Sequence, residues 1–329
     1  MNRVAKRVAV KLILSRTQTL PVMRSSFLFV LLFFAVRLPA QVLVSHVTEA
    51  NTGEGEPVTG FLLADSVSLR SGPGTNTKKL RLLRIETEVR LLDFSQEKMI
   101  LHGIESYWYH IRCNKQEGWI WGGFIATGYF RSNEDTAVAF LVGFSHQQLK
   151  KDSDGMREYT YNETYVQIRA VRGNQLLDKL VLHEEVTYPE VQQSGRMGID
   201  GIDDILLLLR PCLGGCGCSG GTDYVFWDGT RLHFVYSENF IADAASSEWD
   251  AMLLPSNKGG EPGYIKIAGN HIDTSYTYEG RDIMCRAQTM SWYTWNGEKL
   301  VKAAGKKTQR KLVYIDHETD KVIDKPDEE

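Results

Sequence analysis

The sequence predicts an all-β protein: a small barrel followed by a larger antiparallel β domain, arranged as a sandwich or a propeller-like array. Three observations predict it. Short runs in which apolar and polar residues alternate recur through much of the chain, the period of a half-buried strand. Turn-forming stretches such as Arg172-Gly173-Asn174, Asp228-Gly229 and Asn296-Gly297 punctuate those runs. No stretch carries a capped apolar stripe at the 3.6-residue helical period.

The 329 residues, 43% hydrophobic and 24% charged, lie in the globular range and are enough for two domains. The net charge of −3 conceals an asymmetry, because residues 1–41 hold seven basic residues and no acidic ones. The remainder keeps 31 of the 38 basic residues against 41 acidic ones, a net charge of −10. An acidic body repels nucleic acid and anionic lipid, so neither is an expected partner. Residues 27–36 (FLFVLLFFAV) are a ten-residue apolar run behind Arg24. A bilayer span needs about 20 such residues, whereas a signal-peptide core needs about this many. Residues 1–40 therefore read as an export signal ending at Ala40, with Met23 as an alternative start. The expected location is the periplasm or the cell surface, with no stable membrane span after signal cleavage.

Residues 41–57 are polar and carry Gly and Pro, the composition of a linker. In residues 58–128, Leu80, Leu82 and Ile85, then Val89, Leu91 and Leu92, alternate roughly with charged residues as strands do. Ser71-Gly72-Pro73-Gly74 has the chemistry of a tight turn. The motifs of this segment are Val67-x-Leu69-Arg70-Ser71-Gly72-Pro73-Gly74, then Tyr107-Trp108-Tyr109-His110-Ile111, then Gly118-Trp119-Ile120-Trp121. In these motifs it resembles a bacterial SH3 (SH3b) domain, over about a fifth of the chain. The resemblance implies a small barrel whose aromatic groove engages peptidoglycan, or an envelope peptide or protein. It also implies Trp108, Ile111 and Trp119 near the core. Tyr109 and Trp121 are then the expected groove residues, with Tyr107 beside them. Two features depart from the family pattern: residues 85–89 lack its glycine, and residues 93–106 lengthen one loop.

Residues 135–315 continue in β pattern. Residues 137–144 are an apolar run, and residues 165–171 and 176–182 flank the Gly173 turn. Residues 224–235 and 292–301 read as hairpins about Asp228-Gly229 and Asn296-Gly297, pairs suited to a type I′ turn. The two hairpins lie 68 residues apart, and the Gly173 turn lies 56 residues before the first, too irregular for a repeat. Residues 243–263 read as a long loop and residues 316–329 as a charged, frayed tail.

Several motifs invite chemistry. Gly215-x-Gly217-x-x-Gly220 has phosphate-loop spacing, but a dinucleotide site needs a helix next, and a hairpin follows. Cys212, Cys216, Cys218 and Cys285 are disulfide candidates in an exported chain, with zinc requiring a further ligand such as His233 or His271. With five cysteines at least one thiol is unpaired in a monomer, and Cys113 suits a buried apolar role. Cys218-Ser219-Gly220 resembles the nucleophile motif of NlpC/P60 cell-wall cysteine peptidases, with His271 as a candidate base. Here Gly217 replaces the family's Asp, and no helix follows to lower the thiol pKa. Residues 198–206 faintly resemble the calcium loops of FG-GAP-like propeller repeats, making Asp200, Asp203 and Asp204 calcium candidates. Calcium takes six to eight oxygens, and Arg196 and Gly198 stand where earlier ligands would be. No metal or other cofactor and no catalytic group is expected. The leading expectation is a non-enzymatic exported binding protein. The alternatives are an NlpC/P60-like cell-wall cysteine peptidase, and an interaction or scaffold protein using the C-terminal β domain.

Overall fold

The protein is nearly all β, as expected, with a barrel-like part and a larger antiparallel domain. The computed structural model describes residues 58–153, 157–184, 190–211, 218–243, 246–278, 281–316, 318–319 and 321–323. The export signal and the linker lie outside the described residues, as do Cys212 and Cys216. Three sheets contain every strand that follows. The first joins β1 (Val58–Phe61), β2 (Val67–Arg70), β3 (Lys79–Leu83), β4 (Glu88–Leu101), β5 (Ile104–Cys113) and β6 (Gln116–Trp121), in the order β1-β4-β5-β6-β2-β3. A 3-10 turn, Gly122–Phe124, leads out of it. The second joins β7 (Gly128–Arg131), β8 (Val138–Ser153), β9 (Glu158–Arg172) and β10 (Gln175–Glu184), in the order β10-β9-β8-β7.

The third sheet holds β11 (Glu190–Gly195), β12 (Asp204–Arg210), β13 (Cys218–Trp227), β14 (Leu232–Ala242), β15 (Ser246–Leu253), β16 (Ile265–Tyr278), β17 (Arg281–Trp295), β18 (Leu300–Lys302), β19 (Gln309–Asp316) and β20 (Val322–Ile323). It is a meander in which each strand pairs with the next, except that β17 pairs with both β18 and β19. Among the described residues no helix is long and apolar enough to cross a membrane.

The first sheet curls into a half-barrel around Val67, Leu69, Val89, Leu91, Tyr109, Ile111 and Ile120. Arg70 holds its first loop by donating from Nη1 to the carbonyls of Thr75 (2.6 Å) and Thr77 (2.8 Å). Residues 93–106, expected as a longer loop, instead extend β4 and β5 to a turn at His102-Gly103. Both turn residues have positive φ (54° and 79°), the type I′ signature, whose twist matches that of the flanking strands.

The apolar run at the start of β8 is buried on both faces, which is why it does not alternate. Phe140, Val142 and Phe144 join Val166, Ile168 and Ala170 on one face. That face packs on Leu206, Leu208, Val225 and Trp227 of the third sheet and on Ile104, Trp108 and Trp121 of the half-barrel. Phe140 and Trp227 meet edge to face at 5.7 Å, a preferred aromatic geometry. On the other face, Ala139, Leu141 and Val171 lie against Leu63 and Ile85. Half-barrel and second sheet therefore share cores.

The third sheet also folds over a core of its own, where Ile205, Tyr224 and Phe226 meet Met252, Leu254 and Ile265. This brings the two Trp-[Asp/Asn]-Gly hairpins together, with Trp295 edge-on to Phe226 and to His233 at 5.3 Å each. Neither hairpin uses the expected type I′ turn, since Gly229 and Gly297 alone carry positive φ there. Each has four turn residues, and the Asp228 or Asn296 side chain accepts the two backbone N–H groups that end the turn. Such Asx capping removes the need for a second left-handed residue. Residues 243–263, expected as a loop, contain β15. Val322 and Ile323, expected in a frayed tail, form β20 against β19.

Candidate binding cleft at the junction of half-barrel and second sheet

Two β-bulges build the site. The Gly173-Asn174 turn, with φ of 55° and 65°, pairs Arg172 with Gln175 and Val171 with Leu176. Carried on unbroken, that register would set Asp178 opposite Arg169. Leu177 bulges instead, so that Asp178 faces Ala170 and Lys179 faces Arg169. A one-residue shift exchanges the faces of all that follows. Asp178 then accepts the backbone N–H of Leu232 (2.8 Å), tying β10 to β14. The second bulge is at Ser145 on β8, where the register steps from Phe144–Val166 to His146–Tyr165.

Between the bulges and the half-barrel lies a cleft of about 410 Å³, within the range of small-ligand sites. Its apolar surface comes from Leu63, Leu101, Ile104, Trp121, Phe124 and Phe144. Its polar side holds Arg169, Lys179, His102, His146, Gln167 and Ser145, and among the described residues no acidic side chain lines it. Gln167 donates from Nε2 to the Phe144 carbonyl (2.8 Å), and its Oε1 accepts from Arg169 Nε (2.9 Å). That relay orients the guanidinium without neutralising it. Burial holds Arg169 below the usual guanidinium range, and burial together with Arg169 pulls the Lys179 ammonium down. His146 stacks on Tyr165 at 4.2 Å. Burial lowers its pKa, and His102 and Lys179 add to the effect.

The groove residues expected from the sequence sit elsewhere. Tyr109 is 2% exposed and faces the half-barrel interior. Trp121 does point out of the half-barrel, but it is 3% exposed because the second sheet covers it. Its Nε1 donates to the Met99 carbonyl (3.0 Å), and its ring meets Phe124 edge-on, so only part of it reaches the cleft. Gly122 and Gly123 permit this packing. A Cβ on Gly122 would stand 2.5 Å from the Tyr109 ring, and one on Gly123 would stand 2.2 Å from the Trp121 ring. Tyr107 is half-buried, with Phe94 at 5.3 Å and Lys98 Nζ 4.7 Å over its ring, and it does not line the cleft.

The remaining candidates do not converge. Cys285 is a free, buried thiol on β17, so it forms no disulfide with the glycine-rich loop, while a bond within that loop falls on Cys212 and Cys216, outside the described residues. Cys113 is also free and is buried in the half-barrel. Cys218 opens β13, so no helix N-terminus stands behind it to favour a thiolate. Asp204 is fully buried and accepts from Ser132 Oγ (2.5 Å), Asn133 N, Asn133 Nδ2 (2.6 Å) and Gln193 Nε2 (2.8 Å). Burial raises the pKa of Asp203, with Asp204 and Glu134 adding repulsion, while Asp200 is exposed. Among the described residues no group of three or more His, Cys, Asp or Glu side chains could hold a metal ion.

Arg169, Lys179, His102 and His146 were absent from the sequence-based candidates. The one signal was Gly173-Asn174, which sets the hairpin register. Leu177 as the bulge has no local signature. No protein-family model, curated protein or solved structure matches the chain.

Proposed function

We propose that this is a non-enzymatic exported binding protein that takes its ligand in the junction cleft, the ligand being peptidoglycan or an envelope peptide or protein. The observation that carries the reading is the cleft itself, where an apolar surface faces a polar one whose cations have no acidic partner among the described residues. Flat aromatic and aliphatic surface supplies contact area, and a few fixed polar groups supply orientation. The SH3b-like motifs and the signal-like N-terminus support the envelope as the place where such a ligand is met. The ligand surface is then not the half-barrel's own aromatic face but the seam between it and the second sheet.

Sedimentation of the protein with purified sacculi tests the reading. The wild-type protein is expected to pellet, and Lys179→Glu is expected to reduce the bound fraction about tenfold, as loss of one charge-assisted contact does. Failure of the wild-type protein to pellet with sacculi, and to bind solubilised envelope peptides, would refute the proposal.

A further inference from the structure

The cleft's polar side carries a charge arrangement that costs the free protein stability. Arg169 and Lys179 stand directly opposite each other on β9 and β10, and like charges in that relation destabilise a sheet. Arg169 is half-buried while Lys179 is exposed, and the Lys179 pKa falls through partial desolvation and because Arg169 stands across from it. His102, from the β4–β5 turn, and His146, from the β8 bulge, border the same space. No acidic side chain pairs with Arg169 or Lys179 among the described residues. An acid was available: Asp178 is the next residue in the chain, and an unbulged hairpin would have placed it across from Arg169. The bulge at Leu177 turns it to the opposite face, where Leu232 N–H holds it.

We infer that the missing negative charge belongs to the ligand, and that Arg169 and Lys179 receive the terminal carboxylate of a peptide. This rests on the reading of the cleft as the ligand site and names the chemistry recognised there. A guanidinium oriented through Nε by Gln167 keeps its Nη groups for a planar two-oxygen acceptor. Lys179 adds a point charge from the neighbouring strand. Half-buried Leu101 and Phe124 offer a small apolar wall for the side chain just before the carboxylate, backed by the buried Leu63, Trp121 and Phe144. A bare inorganic anion would leave that wall without a partner, so a peptide carboxylate fits the cleft better than a phosphate.

Calorimetric titration of the full chain with N-acetyl-alanyl-alanine, its C-terminal amide and inorganic phosphate tests this. The free acid is expected to bind at least about tenfold more tightly than the amide. Lys179→Glu and Arg169→Gln should each lose about tenfold or more of that affinity, while Lys179→Arg retains most of it. Lys179→Glu should at the same time unfold at an equal or higher temperature, because it turns a repulsive cross-strand pair into an attractive one. A purely structural lysine would not combine these two results. Equal binding of acid and amide, binding of neither, or full affinity in Lys179→Glu would overturn the inference. Phosphate binding more tightly than the free acid would overturn the carboxylate assignment. The envelope reading fails separately: the acid can outbind the amide in a protein that ignores sacculi and envelope peptides. Conversely, Lys179→Glu that still pellets with sacculi leaves the envelope reading standing and removes the carboxylate site.

Discussion

Two charged sites border the second sheet, and the protein treats them oppositely. Near the start of β8, the buried carboxylate of Asp204 receives hydrogen bonds from Ser132, Asn133 and Gln193. The Arg169–Lys179 pair beside the Ser145 bulge receives no counter-charge among the described residues. Burying a charge is costly unless it is paired or hydrogen-bonded, so Asp204 is a joint that locks β12 to the β7–β8 turn. The cationic pair, half-buried at Arg169 and exposed at Lys179, has the Gln167 hydrogen bond and leaves its counter-charge to a ligand. The difference separates a structural charge from a recognising one: the first is saturated from within, the second is not.

Substitutions at the two places should divide the same way. The largest effect is expected for Asp204→Ala, which leaves several buried donors without an acceptor and should cost roughly 3 kcal/mol or more in urea unfolding. Where Asp204→Ala still folds, its affinity for the free-acid dipeptide should stay at wild type. Weakened binding there would merge the two classes of charge. Lys179→Glu should do the reverse, with binding lost and stability raised by about 0.2–1 kcal/mol.

Asp228 provides a smaller check on the saturated class. Burial pushes its pKa up, but hydrogen bonds from His233, Thr230 and Arg231 outweigh this and hold it at about 2. A depressed carboxylate pKa stabilises the fold above the unfolded value of 3.8, and that contribution disappears as pH falls through about 2. Asp228→Asn should therefore cost about 1 kcal/mol at neutral pH and flatten the unfolding curve between those pH values. An unchanged acid limb would show that the turn does not depend on this charge.

The smallest effect concerns His146. It is packed beside Ser145 and Gln148 on β8 and stacked on Tyr165 of β9, with His102 of the β4–β5 turn and Lys179 of β10 near it. Because its folded pKa lies below 6.5, its contribution is complete above 6.5 and is lost as pH falls through the folded pKa. Thermal melts should show a small loss on acidification that His146→Gln abolishes. A saturating carboxylate probe should reduce that loss, since an anion favours the protonated ring. If the probe leaves the pH dependence untouched, the histidine does not sense the site.

Much of the fold was legible in the sequence and little of the site was. The family resemblance put Trp108 inside and Tyr109 with Trp121 outside, whereas the half-barrel turns Tyr109 inward and Trp108 with Trp121 outward. Alternation gave only that Tyr109 and Trp108 take opposite faces. It could not say that the second sheet would close over the outside of the half-barrel, because a period of two assigns residues to faces and is silent about what covers each face. Gly122 and Gly123 stand in plain view after Trp121 in the sequence, yet their role in admitting the rings of Tyr109 and Trp121 needed the packed half-barrel. The turn residues were recognised, but Asx capping replaced type I′ geometry at Asp228 and Asn296.

The sequence by itself determined an all-β chain and its hairpins, because these follow from local sterics and from a two-residue period. Only the tertiary structure decided which aromatic surface was available and which charges met. The decisive case is Leu177, whose bulge sets Lys179 rather than Asp178 opposite Arg169. What accompanies that shift is the hydrogen bond from Leu232, 54 residues away from Asp178 in the chain. No local pattern encodes a contact at that separation.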